Sequence, residues 1–287
     1  MRGRYISAVA CYGPKAGPVR EFLTGVQAMI AAEIGSSFLP YSLEQIHATL
    51  IALDGTRDTE TGAIVNTFYL MHAGRRVQMN LPQVMDTLLA RFEHRMQVRL
   101  GGFAARQEIP FTSRGWQLYD RAFSVQGNAF VLVGWPVASL TGPARPLDDL
   151  RREMNAAGVL HRYHASDADV DNDLHLVVGH HADAPAGALA RAQAAVRDQL
   201  AAYPFEFEIG LGDVKVVASD SRTLAPPLYV SDIPADSEAL RALMSLPAGP
   251  AGQVPPGPDA GGRNARAGRT QPDRSEEGSW FFLRCTW

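Results

Sequence analysis

Alternation between strand-like and helix-like hydrophobic patterns constrains the fold of this sequence more than any other feature. Strands are predicted at 5–11, 47–53, 97–103, 121–125, 129–137, 173–180, 205–218 and 228–232, with an extended segment at 67–71. Helices are predicted at 18–34, 81–95, 146–157 and 188–203. The order strand, helix, histidine-bearing strand, helix, strand occurs twice. This repetition predicts an α+β fold of two pseudo-symmetric α/β lobes, each a β-sheet flanked by helices.

The composition changes abruptly after Leu246. The 33 residues from 247 to 279 contain 7 Gly and 6 Pro, and such a stretch buries too little apolar surface to offset the entropy of ordering it. We therefore predict a bilobal domain at 1–234, a short C-terminal helix at 235–246 and a disordered Gly/Pro-rich tail at 247–287. The sequence does not identify a partner for the tail.

Charge, cysteine content and apolar run length exclude several classes of protein. The net charge of −3 argues against a protein dominated by long-range attraction to nucleic acid. Cys11 and Cys285 match no metal-binding spacing. The apolar runs are far shorter than a membrane span, and the one that follows Met1 is too short for a signal peptide. We expect a cytoplasmic monomer with no membrane partner.

The segment around His47 is the most informative for chemistry. In a strand, side chains two residues apart share a face, so His47 and Thr49 point to one side while Ala48 and Leu50 point to the other. An imidazole can transfer a proton near neutral pH, and a hydroxyl can donate a hydrogen bond to a phosphate oxygen. His175 holds the corresponding place in the second half of the chain. The alternative is an ordinary polar pair with no catalytic role.

These residues give the chain its resemblance to the two-histidine (2H) phosphoesterase superfamily, the cyclic phosphodiesterases and RNA 2′,5′-ligase-like proteins. That superfamily carries two His-x-Thr/Ser-hydrophobic strands, one in each lobe. His47-Ala-Thr49-Leu matches the first motif in full. His175-Leu-Val177-Val matches the second except at Val177, where the family usually has Thr or Ser. The order of elements is similar over residues 5–234.

The resemblance implies a central cleft between the lobes, with His47 and His175 as the acid/base pair and Thr49 as a substrate phosphate anchor. It implies no metal and no cofactor. The expected function is a metal-independent phosphodiesterase that hydrolyses a cyclic phosphate or a 2′-linked phosphodiester of a nucleotide or short RNA. The alternative is a catalytically weak or inactive 2H-like domain that binds a nucleotide or RNA, because Val177 cannot donate a hydrogen bond.

The sequence leaves open which histidine is the acid. Four acidic residues lie between 167 and 173 with no basic residue among them, and a carboxylate near His175 would favour its protonated form. That arrangement would suit His175 as the acid. The alternative is a solvated acidic loop remote from the cleft.

Further candidates for ligand contact come from the loops. The arginines between 91 and 121 give that stretch a net positive charge, and Arg114 is the one we single out for phosphate binding. Tyr12, Trp116 and Tyr163 are candidates for stacking on a nucleobase, with ordinary packing as the alternative. An alternative is a metal site, which strand geometry disfavours. It would use five histidines: His161, His164, His175, His180 and His181.

Overall fold

One antiparallel β-sheet organises the chain in the computed structural model, which describes residues 4–105, 107, 113–221, 223–224 and 227–245. Within these residues the strands are β1 (Tyr5–Ala10), β2 (Phe38–Pro40), β3 (Ala48–Ala52), β4 (Gly55–Arg57), β5 (Ile64–Asn66), β6 (Met96–Leu100), β7 (Phe123–Gln126), β8 (Ala129–Pro136), β9 (Leu174–His181), β10 (Phe205–Ile209), β11 (Val214–Ser219) and β12 (Tyr229–Asp232). β4 and β5 form a separate ribbon, and the other ten strands share the sheet.

The helices of the described residues are α1 (Gly17–Ile34), α2 (Thr67–Ala73), α3 (Leu81–Phe92), α4 (Leu118–Ala122), α5 (Val137–Thr141), α6 (Pro146–Glu153), α7 (Ala186–Ala202) and α8 (Ser237–Ser245). α1 shows why they form where they do. Its buried residues Leu23, Val26 and Ile30 recur at helical spacing, and Gly35 ends the helix with a left-handed φ of 55°. The predicted tail at 247–287 lies outside the described residues.

The main path of the sheet runs β10-β6-β8-β9-β3-β1-β11-β12. β3 and β9 meet at its centre through one pair of residues, Ala48 and Leu176. Each side of this junction contains strands from both halves of the chain, because β1 and β3 lie with β11 and β12, whereas β6 and β8 lie with β9 and β10. The α+β class predicted from the sequence is confirmed, and the sheet is open and antiparallel.

Several element predictions need correction. The segment 67–71, predicted to be extended, is helical in α2, because the Asn66 side chain caps the helix by accepting a hydrogen bond from the backbone N–H of Tyr69. The segment 205–218 is two strands, separated by a turn in which the Asp213 carboxylate accepts from the N–H of Gly210. Arg121, predicted to open a strand, lies in α4. The hairpin predicted around residue 127 is confirmed.

The two faces of the central strands differ in their packing. Ala48, Leu50, Leu174 and Leu176 belong to the main hydrophobic core, together with the apolar sides of α1, α3, α6 and α7. The residues between them on β3 and β9 are half-buried, as the strand period of two requires. The half-buried face therefore carries the polar side chains. No described helix is long and apolar enough to cross a membrane.

Candidate active site

The register of β3 and β9 brings the two histidine motifs together. The strands are antiparallel, and Ala48 pairs with Leu176. One residue to either side, this register sets His47 opposite Val177 and Thr49 opposite His175. His47 and His175 are then diagonal neighbours on one face, a relation that usually separates Cα atoms by about 7–8 Å. This register therefore places the two histidines on the same face of the sheet.

His47 is held in one tautomer. Its Nδ1 lies 2.7 Å from the backbone carbonyl oxygen of Gln45, so Nδ1 carries the proton and donates it, which leaves Nε2 with a lone pair. Burial lowers the pKa of His47. The Tyr12 ring stands beside it, with 6.0 Å between ring centroids and an angle of 59° between the planes. His47 is thus a neutral imidazole with a free acceptor nitrogen, as a general base requires.

Lys15 adds a cation to this end of the site. Its ammonium donates to the carbonyl oxygen of Gly13 at 2.9 Å, and its charge contributes to the lowered pKa of His47. Burial lowers the pKa of Lys15 itself to about 8. Sequence reasoning missed this residue. The available signal was its rarity, since Lys15 and Lys215 are the only lysines in an arginine-rich chain.

His175 is held differently from His47. Nη2 of Arg121 lies 3.1 Å from Nε2 of His175, and Oδ2 of Asp173 lies 3.4 Å from the same nitrogen. A guanidinium always carries its protons, so Arg121 donates and Nε2 accepts, and the same nitrogen cannot then donate to Asp173. Burial lowers the pKa of His175, which agrees with a neutral ring. Arg121 was not singled out from the sequence.

Asp173 ties this end of the site to the core. Its carboxylate accepts from Ser113 Oγ at 2.6 Å, from Trp135 Nε1 at 2.8 Å and from Arg121 Nη2 at 3.2 Å. Burial works to raise the pKa of Asp173, but the hydrogen bond from Ser113 and the other groups around the carboxylate outweigh burial and hold the pKa well below its usual range. Asp173 is therefore an ionised, fully engaged carboxylate that fixes the position of Arg121.

Asp171 anchors a second set of charges. Its Oδ2 lies 2.9 Å from Arg114 Nη2, 3.3 Å from Arg151 Nη1 and 2.7 Å from His161 Nε2. Burial acts to raise its pKa, but Arg151, the hydrogen bond from His161 and the charge of Arg114 hold the pKa far below the usual range. Asp171 and Asp173 thus lie buried at the site, not in a solvated loop. They do not leave His175 charged, because burial outweighs their attraction.

The loop candidates fall into different environments. The Arg114 guanidinium stacks 3.7 Å from the centroid of the Tyr163 ring and pairs with Asp171, so both predicted residues are engaged within the protein. Trp116 is 62% exposed, in a tight turn closed by backbone hydrogen bonds with Ser113. The Tyr12 hydroxyl donates to the carbonyl oxygen of Leu224 at 3.3 Å. Trp116 and the face of Tyr12 stay candidates for base stacking.

The remaining arginines of the 91–121 stretch do not gather around the histidines. Arg91, Arg95 and Arg99 form ion pairs with glutamates on other elements: Glu153, Glu208 and Glu206. Arg106 lies outside the described residues. Only Arg121 among these arginines contacts His175 in the described part of the chain.

Of the five histidines considered for a metal site, four have separate hydrogen-bond partners, and the ring nitrogens of His181 have none among the described residues. His161 bonds to Asp171, His164 to Asp148 at 2.9 Å, and His180 to the hydroxyl of Tyr41 at 3.4 Å. Across residues 4–105, 107, 113–221, 223–224 and 227–245, no group of three or more His, Cys, Asp or Glu side chains converges on a point that could hold a metal ion.

Comparisons with known proteins add little. No protein-family model and no curated protein sequence matches this chain. Among solved structures, the chain is similar to TT0787 of Thermus thermophilus, with a TM-score of 0.36 and 14% sequence identity over 80% of this chain and 97% of that one. A likeness at this level carries no information about activity.

Proposed function

We propose that the protein is a metal-independent phosphodiesterase that opens a cyclic phosphate or cleaves a 2′-linked phosphodiester of a nucleotide or short RNA. The observation that carries the proposal is the diagonal placement of His47, directly before β3, and His175 of β9 on one half-buried face, with Thr49 opposite His175 on that face. Two proton-transfer groups on opposite sides of one phosphate suit in-line displacement at phosphorus.

In this mechanism His47 is the general base. Its Nε2 takes a proton from water as the water oxygen attacks phosphorus. The bond from phosphorus to the leaving oxygen breaks, and a protonated His175 gives that oxygen its proton. Thr49 donates a hydrogen bond to a non-bridging oxygen, where charge accumulates in the transition state. The fixed Nδ1–H of His47 supports its role as base, since it leaves the lone pair on Nε2.

This function goes with membership of the 2H phosphoesterase superfamily and with its bilobal, pseudo-symmetric architecture. The main path of the sheet has four strands on each side of the β3–β9 junction, an arrangement compatible with two such lobes. The cytoplasmic location and the monomeric state stay predictions from the sequence.

A second function, nucleotide or RNA binding without turnover, draws on two observations. Val177 supplies no hydrogen-bond donor to a phosphate. In addition, the Nε2 of His175 is occupied by Arg121 and its ring is neutral, so His175 is not poised as an acid in the free protein. A binding domain would need neither histidine to change its protonation state.

One experiment separates the two functions. A panel of 2′,3′-cyclic nucleotides and 2′,5′-linked dinucleotides is incubated with the full chain in EDTA, and release of the opened monoester is measured. Wild type is compared with His47→Ala and His175→Ala, with His94→Ala as a matched control because His94 is an exposed histidine. Turnover in wild type and His94→Ala that is lost in both other variants supports the phosphodiesterase. Nucleotide binding with no turnover in any form overturns it in favour of the binding domain.

A further inference from the structure

The Arg121 guanidinium occupies the position beside His175 that a substrate oxygen would need. Nη2 is 3.1 Å from Nε2 of His175, a normal hydrogen-bond distance, and Nε is 3.3 Å from Ser113 Oγ. The Arg121 side chain is only 13% exposed. Arg121 is thus a largely desolvated cation on the same face as the two histidines, held there by Asp173.

The β9 side of the site lacks the hydroxyl donor of the second motif, since Val177 takes its place. Charge on the non-bridging phosphate oxygens must be met by hydrogen-bond donors, and Thr49 offers only one. Val177, the residue at the corresponding place on β9, offers none. A guanidinium presents five N–H groups in a fixed fork, which suits two oxygens of one phosphate. Arg121 is the nearest such group to His175 among the described residues.

We propose that Arg121 binds the substrate phosphate in place of the missing second-motif hydroxyl, and that it releases Nε2 of His175 when it does so. The proposal rests on the function proposed above. Once Arg121 has turned to the phosphate, Nε2 faces Oδ2 of Asp173 at 3.4 Å with its lone pair free. It then takes a proton from solvent, and His175 becomes the acid only in the presence of a bound phosphate.

The charges around His175 permit this change. The charged groups that act on His175 from the neighbouring elements are Asp173 and Asp171 before β9 and Arg121 of α4, and behind them Arg114 of the turn at 113–116 and Arg151 of α6 contact Asp171. Arg114 is paired with Asp171 at 2.9 Å and lies farther from Asp173, at 3.9 Å, and Arg151 is paired with Asp171, so neither neutralises Asp173 fully. When Arg121 moves to the phosphate, Asp173 loses its closest cation, which lies 3.2 Å away in the free protein. Protonation of His175 then restores a positive charge beside Asp173.

The test uses inorganic phosphate as the ligand and ring-nitrogen NMR of the full chain, with His175→Ala to assign the signals. In wild type, we expect saturating phosphate to raise the titration midpoint of His175. In Arg121→Gln, we expect the midpoint to be raised already without phosphate, and phosphate to bind about 10- to 100-fold more weakly, the equivalent of about 1.4–2.8 kcal/mol. Arg121→Lys keeps a charge without the fork, so we expect an intermediate affinity.

Arg197→Gln is the matched control, because Arg197 pairs with Asp120 and with the Phe123 carbonyl on the same segment as Arg121. It should leave the His175 midpoint and the phosphate affinity unchanged. A His175 midpoint that phosphate does not move, or wild-type phosphate affinity in folded Arg121→Gln, overturns the proposal. If Arg121→Gln does not fold, wild-type affinity in Arg121→Lys overturns it instead. None of these readouts requires turnover, so failure of the phosphodiesterase assay is a separate result.

Discussion

Replacing Val177 with threonine tests where the phosphate lies. Val177 is half-buried, across from His47, which directly precedes β3, and it is paired with Val131 on β8. Threonine has nearly the same shape, and in a half-buried position its hydroxyl keeps access to water, so the cost of introducing it is small. A hydrogen bond from a hydroxyl to a charged group contributes about 1.5–3 kcal/mol. At about 1.4 kcal/mol per tenfold, Val177→Thr should bind phosphate roughly 10- to 100-fold more tightly.

The assay is titration of inorganic phosphate into wild type, Val177→Thr and Val177→Ala, followed by kcat/KM on any substrate that the wild type turns over. Val177→Ala removes methyl groups without adding a donor, so it should show no gain. Because Arg121 is proposed to meet part of the phosphate charge, the gain should be larger in the Arg121→Gln background. Equal affinity in folded Val177→Thr and wild type would refute the placement of the phosphate over β3 and β9.

Three further perturbations have defined outcomes. Burial lowers the pKa of His161 to about 3, so below pH 6.5 the unfolded state binds more protons than the folded state. The free energy of unfolding should therefore fall by about 1.4 kcal/mol for each pH unit below about 6.5. Urea unfolding of His161→Asn should show a weaker dependence on pH, and the same dependence as wild type would contradict this. Gly101 has a φ of 79°, and an added Cβ would lie 2.3 Å from the Leu200 carbonyl oxygen, so Gly101→Ala should lower the free energy of unfolding by about 2–4 kcal/mol. Gly25 of α1 has open space around it, so Gly25→Ala should raise the free energy of unfolding by about 0.5–1 kcal/mol. Urea titrations check both values, and an unchanged stability of Gly101→Ala would be inconsistent with the close approach to Leu200. The pKa of Lys15 is about 8, so its ammonium loses its charge between pH 7 and 9. Sulfate affinity, measured by titration calorimetry, should weaken over this range in wild type and not in Lys15→Met. The same pH dependence in both proteins would exclude Lys15 from the anion site.

Local periodicity was enough to predict one motif and its face. His47 and Thr49 alternate with buried Ala48 and Leu50 as the strand pattern requires, because a period of two is a property of the backbone alone. The helix at α2 could not be found in this way. Its first residues, Thr67, Phe68 and Tyr69, favour strands, and the hydrogen bond from the Tyr69 N–H to the Asn66 side chain overrides that preference.

The partners of His175 lay beyond sequence reasoning for a different reason. Arg121 is 54 positions from His175 and reaches it only because α4 leads into β7, which pairs with β8 beside β9. The charge pattern before β9 did signal carboxylates near His175. It could not show that arginines from three other segments would hold those carboxylates, nor that burial would keep the imidazole neutral.

The pH dependence of kcat/KM tests the central claim most directly, since it reports on the two imidazoles as a base and an acid. With the substrate that the panel identifies, wild type should give a bell-shaped profile in EDTA. The residual rate of His47→Ala should lose the acidic limb, and that of His175→Ala should lose the alkaline limb. A profile without limbs in wild type, or both limbs kept in either variant, would contradict two-histidine catalysis at this site.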